Sequence, residues 1–343
     1  MYSKKVSKLI SCVILSIFAN MGLAQQNDRL PDIVNGYTSY DNLVTMPDNR
    51  VMGSGNAIDI DSGGNIWVFE RCGANTCSGS TVDPILKFSP DGEFLTSFGA
   101  GMFVFPHGIV VDDDDNIWVV DAGVEDGVKG NQIFKFNQQG EILIELGRPG
   151  IRGEAPGLFN EPSDLAIAPN GDLYIADFYN PRVQCLRPDG TFVRLWGTTG
   201  KVGIGAGAFN YPTDVALRPK GTLYVADGFN DRIQAFGVDG RFLGKWGGPF
   251  AANIWGPFRG WFVTVTGLAV DGAGNVFAAD FYNHRVQKFS PDGAFLTAFG
   301  DKGEGPGRLT YAMGVALAAD GSVFVTDFGN HRITKWRPGK TGG

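Results

Sequence analysis

The sequence predicts an all-β fold, a six-bladed β-propeller of four-stranded blades closed by an N-terminal strand, on three observations. A six-residue run ending in an acidic residue recurs about every 50 residues: NIWVFE (65–70), NIWVVD (116–121), DLYIAD (172–177), TLYVAD (222–227), NVFAAD (275–280) and SVFVTD (322–327). Each run has a short apolar segment such as DLAIAP before it and a second strand such as RVQCL or RIQAF after it, with turns to which the 50 glycines contribute. No stretch carries the 3.6-residue apolar period of a helix. Four-stranded units repeated radially make a propeller.

In chain order, residues 1–24 read as a secretory signal. Lys4, Lys5 and Lys8 precede an apolar run from Leu9 to Phe18, and small residues stand at Gly22 and Ala24. The apolar run is too short to span a membrane, and nothing later approaches a spanning length. The reading is therefore an exported protein, periplasmic or secreted, with no membrane span. The 29 basic residues less those three lysines leave 26 against 36 acidic ones, a net charge of −10. An acidic chain without a basic cluster argues against nucleic acid as a partner.

Residues 25–52 are the expected closing segment, 53–338 the propeller and 339–343 a tail. The sixth unit ends after its third strand, so its outer strand must come from the unassigned chain between Pro31 and Val44. That pairing would remove the open sheet edge. Cys72 and Cys77 share a Gly/Asn/Ser-rich loop, and export makes a disulfide the expected state, two free thiols the alternative. Cys185 falls on a strand and reads as a small buried residue. The Asp112 to Asp115 run reads as a solvated turn rather than a calcium site, though a structural calcium elsewhere stays open.

The hairpin turns within units (DSGGN, DDDDN, PNGD, PKGT) are short and belong on one face. The longer connections gather on the other, among them GRPGIRGEAPGLFNEP, the Cys72 to Pro84 loop and the Ala122 to Gln132 loop. Function is expected on that long-loop face. Each innermost strand starts there, which gives a ring of equivalent residues: Asn56, His107, Ser163, Thr213, Thr266 and Met313. A second ring follows the acidic residues and includes Arg71, Phe178, Tyr179, Gly228, Phe229, Phe281, Tyr282 and Phe328. His107 is the one imidazole in its ring and the side-chain type that titrates near neutral pH. This lining suits a small-molecule or peptide ligand in the central channel.

The triplets Asn180-Pro181-Arg182, Asn230-Asp231-Arg232, Asn283-His284-Arg285 and Asn330-His331-Arg332 resemble the NHL repeat signature, over essentially all of residues 53–337. His284 and His331 then occupy a repeat position and read as structural. Around Arg71 (VFERCG) and His107 (FPHGIVVD) the chain resembles the peptidyl-α-hydroxyglycine α-amidating lyases, six-bladed enzymes of secreted peptide maturation. The resemblance implies an active-site arginine at Arg71, a zinc ligand at His107 and a catalytic tyrosine at Tyr179. It also implies a zinc held by three histidines from alternate blades, while this chain has Thr213 and Met313 in place of the other two and Gly228 in place of a second arginine. One imidazole does not supply a catalytic zinc site, so zinc stands only as an implication of the resemblance, with two of its three ligands missing.

Two readings follow. In the first, the chain is an exported amidating-lyase-like enzyme, a C–N lyase with a degenerate zinc site, using His107, Arg71 and Tyr179. Asn56, Ser163, Thr213, Thr266, Met313, Phe178, Phe229 and Tyr282 would contact its substrate. In the second, it is a noncatalytic propeller that binds a peptide, glycan or protein partner on the long-loop face, with Trp255 among its contacts. Arg71 has the competing role of a salt bridge to Glu70 or a loop acid, and Tyr179 that of rim packing.

Overall fold

The structure is a computed structural model and describes residues 36–339 apart from 55, 56, 126, 219 and 220. Six four-stranded antiparallel sheets follow one another along the chain. Blade 1 is Ala57–Ile60, Ile66–Phe69, Ile85–Phe88 and Phe94–Phe98; blade 2 is Pro106–Val111, Ile117–Glu125, Lys129–Phe136 and Ile142–Gly147. Blade 3 is Pro162–Ile167, Leu173–Asp177, Arg182–Leu186 and Phe192–Gly197; blade 4 is Asp214–Arg218, Thr222–Asp227, Arg232–Gly237 and Phe242–Gly247. Blade 5 is Val265–Val270, Val276–Asp280, Arg285–Phe289 and Phe295–Phe299. Blade 6 has Ala312–Leu317, Val323–Asp327 and Arg332–Pro338, and takes Tyr37–Tyr40 as its outer strand.

That outer strand is the closure. Tyr37 pairs opposite Pro338 and Tyr40 opposite Lys335 in antiparallel register. Tyr37 also stacks at 4.5 Å on Phe299, and Leu43 N–H donates to the Ile333 carbonyl at 3.1 Å. The signal reading of residues 1–24 lies outside the described residues.

The middle strands of each blade are buried on both faces because each blade packs on a neighbour, while the outer strands are largely exposed. The middle strands are accordingly apolar without alternation, as in Leu173–Asp177 and Val276–Asp280. Six core clusters fill the six seams. The one between the last and first blades joins Ala316, Phe324 and Ile333 to Met52, Ile58, Val68 and Phe88. Cys185 is a free, buried thiol in the seam of blades 3 and 4.

The NHL-like triplets form a repeated polar hub. Asp177 Oδ1 accepts from Asn160 N–H at 2.8 Å, and its Oδ2 accepts from Arg182 Nε at 2.8 Å. The rest of the Arg182 guanidinium donates to loop carbonyls, including Leu158 at 3.0 Å. Arg232–Asp227, Arg285–Asp280 and Arg332–Asp327 repeat the arrangement at 2.7, 2.8 and 2.9 Å. Burying such a pair costs solvation, and these loop carbonyls offset it by occupying the remaining guanidinium donors. The hub thereby pins each long loop to the strand pair beneath it.

One loop assignment is corrected. Ala122 to Gln132 is not an open loop: Ile117–Glu125 and Lys129–Phe136 continue as a hairpin, with Val124 opposite Gly130 beyond a bulge. The Asp112 to Asp115 run is a turn held by its neighbours. Asp112 Oδ2 meets Lys135 Nζ at 2.8 Å, and Asp115 Oδ2 accepts from Ser62 Oγ at 2.6 Å.

Candidate functional site

The structure brings Arg71 and His107 together at the start of blade 2. Arg71 is 4% exposed. Its Nε donates to the Pro106 carbonyl at 3.0 Å, one terminal nitrogen donates to Asn75 Oδ1 at 2.8 Å, and the guanidinium lies 3.6 Å over the Phe105 ring. Glu70 does not pair with it: that carboxylate meets Arg50 at 3.1 Å and accepts from Gly53 and Gly73 N–H. Burial pulls the guanidinium down to about 9, and among the described residues no carboxylate pairs with it. A cation held this way favours an incoming anion.

His107, on the inner strand Pro106–Val111, is half-buried. Burial first, and the Arg71 charge second, pull its pKa down to about 3, against a weaker opposing effect from its hydrogen bond to the Ser163 main chain. The imidazole is therefore neutral throughout the physiological range. The sequence reading expected a group titrating near pH 7; burial, more than the Arg71 charge, moves it away from that value.

The rest of the first ring is differently employed. Ser163 and Thr213 are 1% and 7% exposed. Ser163 Oγ donates to the Pro212 carbonyl at 3.0 Å, Thr213 Oγ1 to Val265 at 2.6 Å and Thr266 Oγ1 to Met313 at 3.1 Å. Each hydroxyl thus ties its blade to the next, which leaves Ser163 and Thr213 little surface for a ligand. Met313 is half-buried, and Asn56 lies outside the described residues.

Tyr179 stands apart, on the blade 3 rim. It is 46% exposed and packs edge-on to Phe178 at 4.9 Å and to Tyr211 at 5.4 Å. Among the described residues no hydrogen bond or ring contact joins it to Arg71 or His107. Phe229 extends the same aromatic cluster, while Tyr282 belongs to a second one with Phe281 and Tyr311.

The zinc implied by the resemblance does not fit these residues. Among the described residues no group of three or more His, Cys, Asp or Glu is placed to hold a metal ion. Thr213, which stands in one missing ligand's place, has its hydroxyl proton committed to a carbonyl. His284 and His331 serve the repeat: His284 Nδ1 accepts from Tyr311 N–H at 3.0 Å, and His331 Nδ1 lies 3.1 Å from the Met52 carbonyl.

Cys72 and Cys77 form a disulfide with 5.2 Å between Cα atoms. The bridged loop carries Asn75, the residue that holds the Arg71 guanidinium, and anchors on blade 2 through Cys77 N–H to Val104 at 2.9 Å. Reducing the bridge is expected to weaken anion binding at Arg71 severalfold; because Cys77 is buried in the core between blades 1 and 2 and Cys72 packs against it, Cys72→Ala with Cys77→Ala should lower the melting midpoint as well. A titration with glyoxylate before and after reduction checks this; unchanged affinity would contradict it.

Sequence reasoning missed Asn75 and Phe105 as the residues that hold Arg71. It also missed three inward carboxylates, Asp59, Asp164 and Asp214. The available signal for these was an aspartate inside an otherwise small or apolar inner strand.

A family model described as NHL repeat matches residues 159–186, 262–289 and 309–336. Peptidylglycine alpha-amidating monooxygenase of Rattus norvegicus is 33% identical over 176 residues, 49% of this chain and 16% of that protein. Peptidyl-alpha-hydroxyglycine alpha-amidating lyase 1 of Drosophila melanogaster is 30% identical over 184 residues, 46% of this chain and 32% of that protein. The chain thus spans well under two thirds of either relative. Among solved structures, a streptogramin B lyase superposes with a TM-score of 0.57 at 15% identity, covering 88% of this chain and 97% of that one, a likeness of fold alone. The chain is a six-bladed β-propeller that carries NHL repeats and is similar, over about half its length, to the amidating-lyase group of proteins.

Proposed function

We propose that the chain is an exported lyase acting on a small or peptide-terminal substrate that presents a carboxylate next to a scissile C–N bond, as an α-hydroxyglycine does. The observation that carries this is the Arg71 and His107 pair: a buried guanidinium that has no carboxylate partner among the described residues, beside a neutral imidazole. The resemblance to proteins named as amidating lyases supports it. The Cys72–Cys77 bridge supports an oxidising compartment.

In this reading Arg71 binds the substrate carboxylate and fixes its orientation. The C–N bond breaks as the hydroxyl proton leaves its oxygen and the amide nitrogen gains a proton, giving an amide and glyoxylate. His107 faces the hydroxyl as acceptor. A bound carboxylate cancels part of the Arg71 field that lowers its basicity, so substrate binding raises the proton affinity of the imidazole. Tyr179 could act as a base only if the substrate bridges from Arg71 to the blade 3 rim.

The test is glyoxylate release from an α-hydroxyglycine peptide by chain purified without chelators, with elemental analysis of the same sample. Turnover is expected without stoichiometric transition metal. Arg71→Ala and His107→Ala should each lower kcat/KM by about 100-fold or more. Absence of turnover in the wild-type chain overturns the lyase reading, and one tightly bound zinc per chain overturns the metal-independent form of it.

A further inference from the structure

A second site lies on the long-loop face at the seam of blades 4 and 5, away from Arg71 and His107. It is a depression of about 290 Å³ walled by Phe229, Trp255 and Tyr282, with Asp231, Asn253 and Thr264 as its polar lining. Among the described residues no basic residue lines it. The three aromatics are 47%, 59% and 55% exposed, an unusual amount of open aromatic surface around one hollow. Two of the walls are braced from behind: Phe229 packs on Tyr211 at 5.4 Å, and Tyr282 on Phe281 at 4.9 Å.

Asp231 is the unusual member. It is 6% exposed and pairs with no lysine or arginine among the described residues. Its Oδ1 accepts from Thr264 N–H at 2.8 Å, which latches blade 4 to blade 5. The latch does not require a charge. At the same repeat position in blade 5, His284 Nδ1 accepts from Tyr311 N–H at 3.0 Å, on an imidazole whose pKa is lowered by burial. In blade 3 the position is Pro181, which has no side-chain acceptor. The fold therefore needs an acceptor at Asp231 at most, and the negative charge is left over for a ligand.

Burying a carboxylate without a counter-charge is costly, and an aromatic ring face attracts cations. An inorganic cation would want several oxygen ligands, whereas this hollow offers one carboxylate. A neutral ligand would leave that carboxylate's burial unrelieved. We propose that the depression binds an organic cation, an alkylated ammonium group whose charge meets Asp231 and whose methyl groups lie against Phe229, Trp255 and Tyr282. This site is independent of the lyase reading.

The test is calorimetric titration of the full chain with choline, with 3,3-dimethylbutan-1-ol as its uncharged isostere, and with a short peptide carrying trimethyllysine. Saturable binding of choline or the peptide is expected, with the isostere about tenfold weaker or worse. The tighter of the two cations identifies a free or a peptide-borne source. Asp231→Asn keeps the acceptor for Thr264 and should melt as the wild type does while losing about tenfold in affinity or more. Trp255→Ala, at an exposed position, should do the same and guards against a folding defect in the first variant. Equal binding of the isostere, unchanged affinity in Asp231→Asn, or no saturable binding of either cation overturns the proposal.

Discussion

Deleting residues 25 to 44 is expected to lower the melting midpoint by on the order of 10 °C, a loss of roughly 3–5 kcal/mol. The deletion removes the outer strand Tyr37–Tyr40 and the stacking of Tyr37 on Phe299. It also strips Leu43 and Val44 from the core between the last and first blades. The strand Arg332–Pro338 would then present an unpaired edge, so the truncated chain should self-associate as well. Thermal melting with light scattering reads both effects. A truncated chain that melts at the full-length midpoint would show that the remaining seams carry closure alone.

The second large effect concerns pH. Asp59, Asp164 and Asp214 point among the inner strands, each as a latch to the next blade. Asp59 Oδ2 accepts from Val111 N–H at 2.8 Å, and Asp164 Oδ2 accepts more weakly from Val215 N–H at 3.4 Å. Burial first, then the charge of Asp59 on Asp164 and of Asp164 on Asp214, push both well above the usual carboxylate range, so the pair holds a proton near neutral pH. Burial pushes Asp59 up to about 6, and Asp121, which lacks the hub arginine of later blades, also to about 6. A carboxyl whose folded pKa is raised contributes stability that is full below its unfolded pKa, near 4, and is lost as pH rises through the folded value.

Stability should therefore increase as pH falls from about 8 to about 5. His107 opposes this below its unfolded value near 6.5, because its folded form resists protonation, and the raised carboxyls outnumber it. Asp61, Asp112 and Asp271 oppose it at lower pH still: side-chain and backbone hydrogen bonds, outweighing desolvation, hold them below the ordinary value, so their contribution disappears as they protonate. The optimum should then be mildly acidic. Asp214→Asn replaces one carboxyl of the proton-sharing pair with an amide that does not ionise as pH rises, and should stabilise the chain at pH 8 by on the order of 1–2 kcal/mol while flattening the rise toward acid. Melting curves from pH 4 to 9 on both proteins check this. A wild-type midpoint that climbs toward alkaline pH would contradict it.

Part of this was open to reading from residues because it depends on local, repeated chemistry. Strand, turn and blade number follow from runs such as TLYVAD and their spacing, since alternation and turn residues act over a few positions. Closure by the N-terminal segment followed from counting strands, because a sheet edge must be paired. The disulfide followed from two cysteines in one short loop. The position of His107 at the inner start of blade 2 followed from repeat register alone.

Tertiary structure decided what each of those side chains meets. Glu70 adjoins Arg71 in sequence, yet successive residues of an extended chain point to opposite sides. Glu70 accordingly meets Arg50, while Arg71 is left to Phe105 and Asn75. The hydroxyls of Ser163 and Thr213 turn to carbonyls about 50 residues away, a pairing that exists only once neighbouring blades are brought side by side. The sequence by itself determined the repeat, the closure and the ring positions, because periodicity, turn chemistry and edge pairing are properties of short segments. The low basicity of His107, the raised channel carboxylates and the surplus charge of Asp231 were decided only in the folded chain, because desolvation and charge pairing depend on neighbours that a linear sequence does not place.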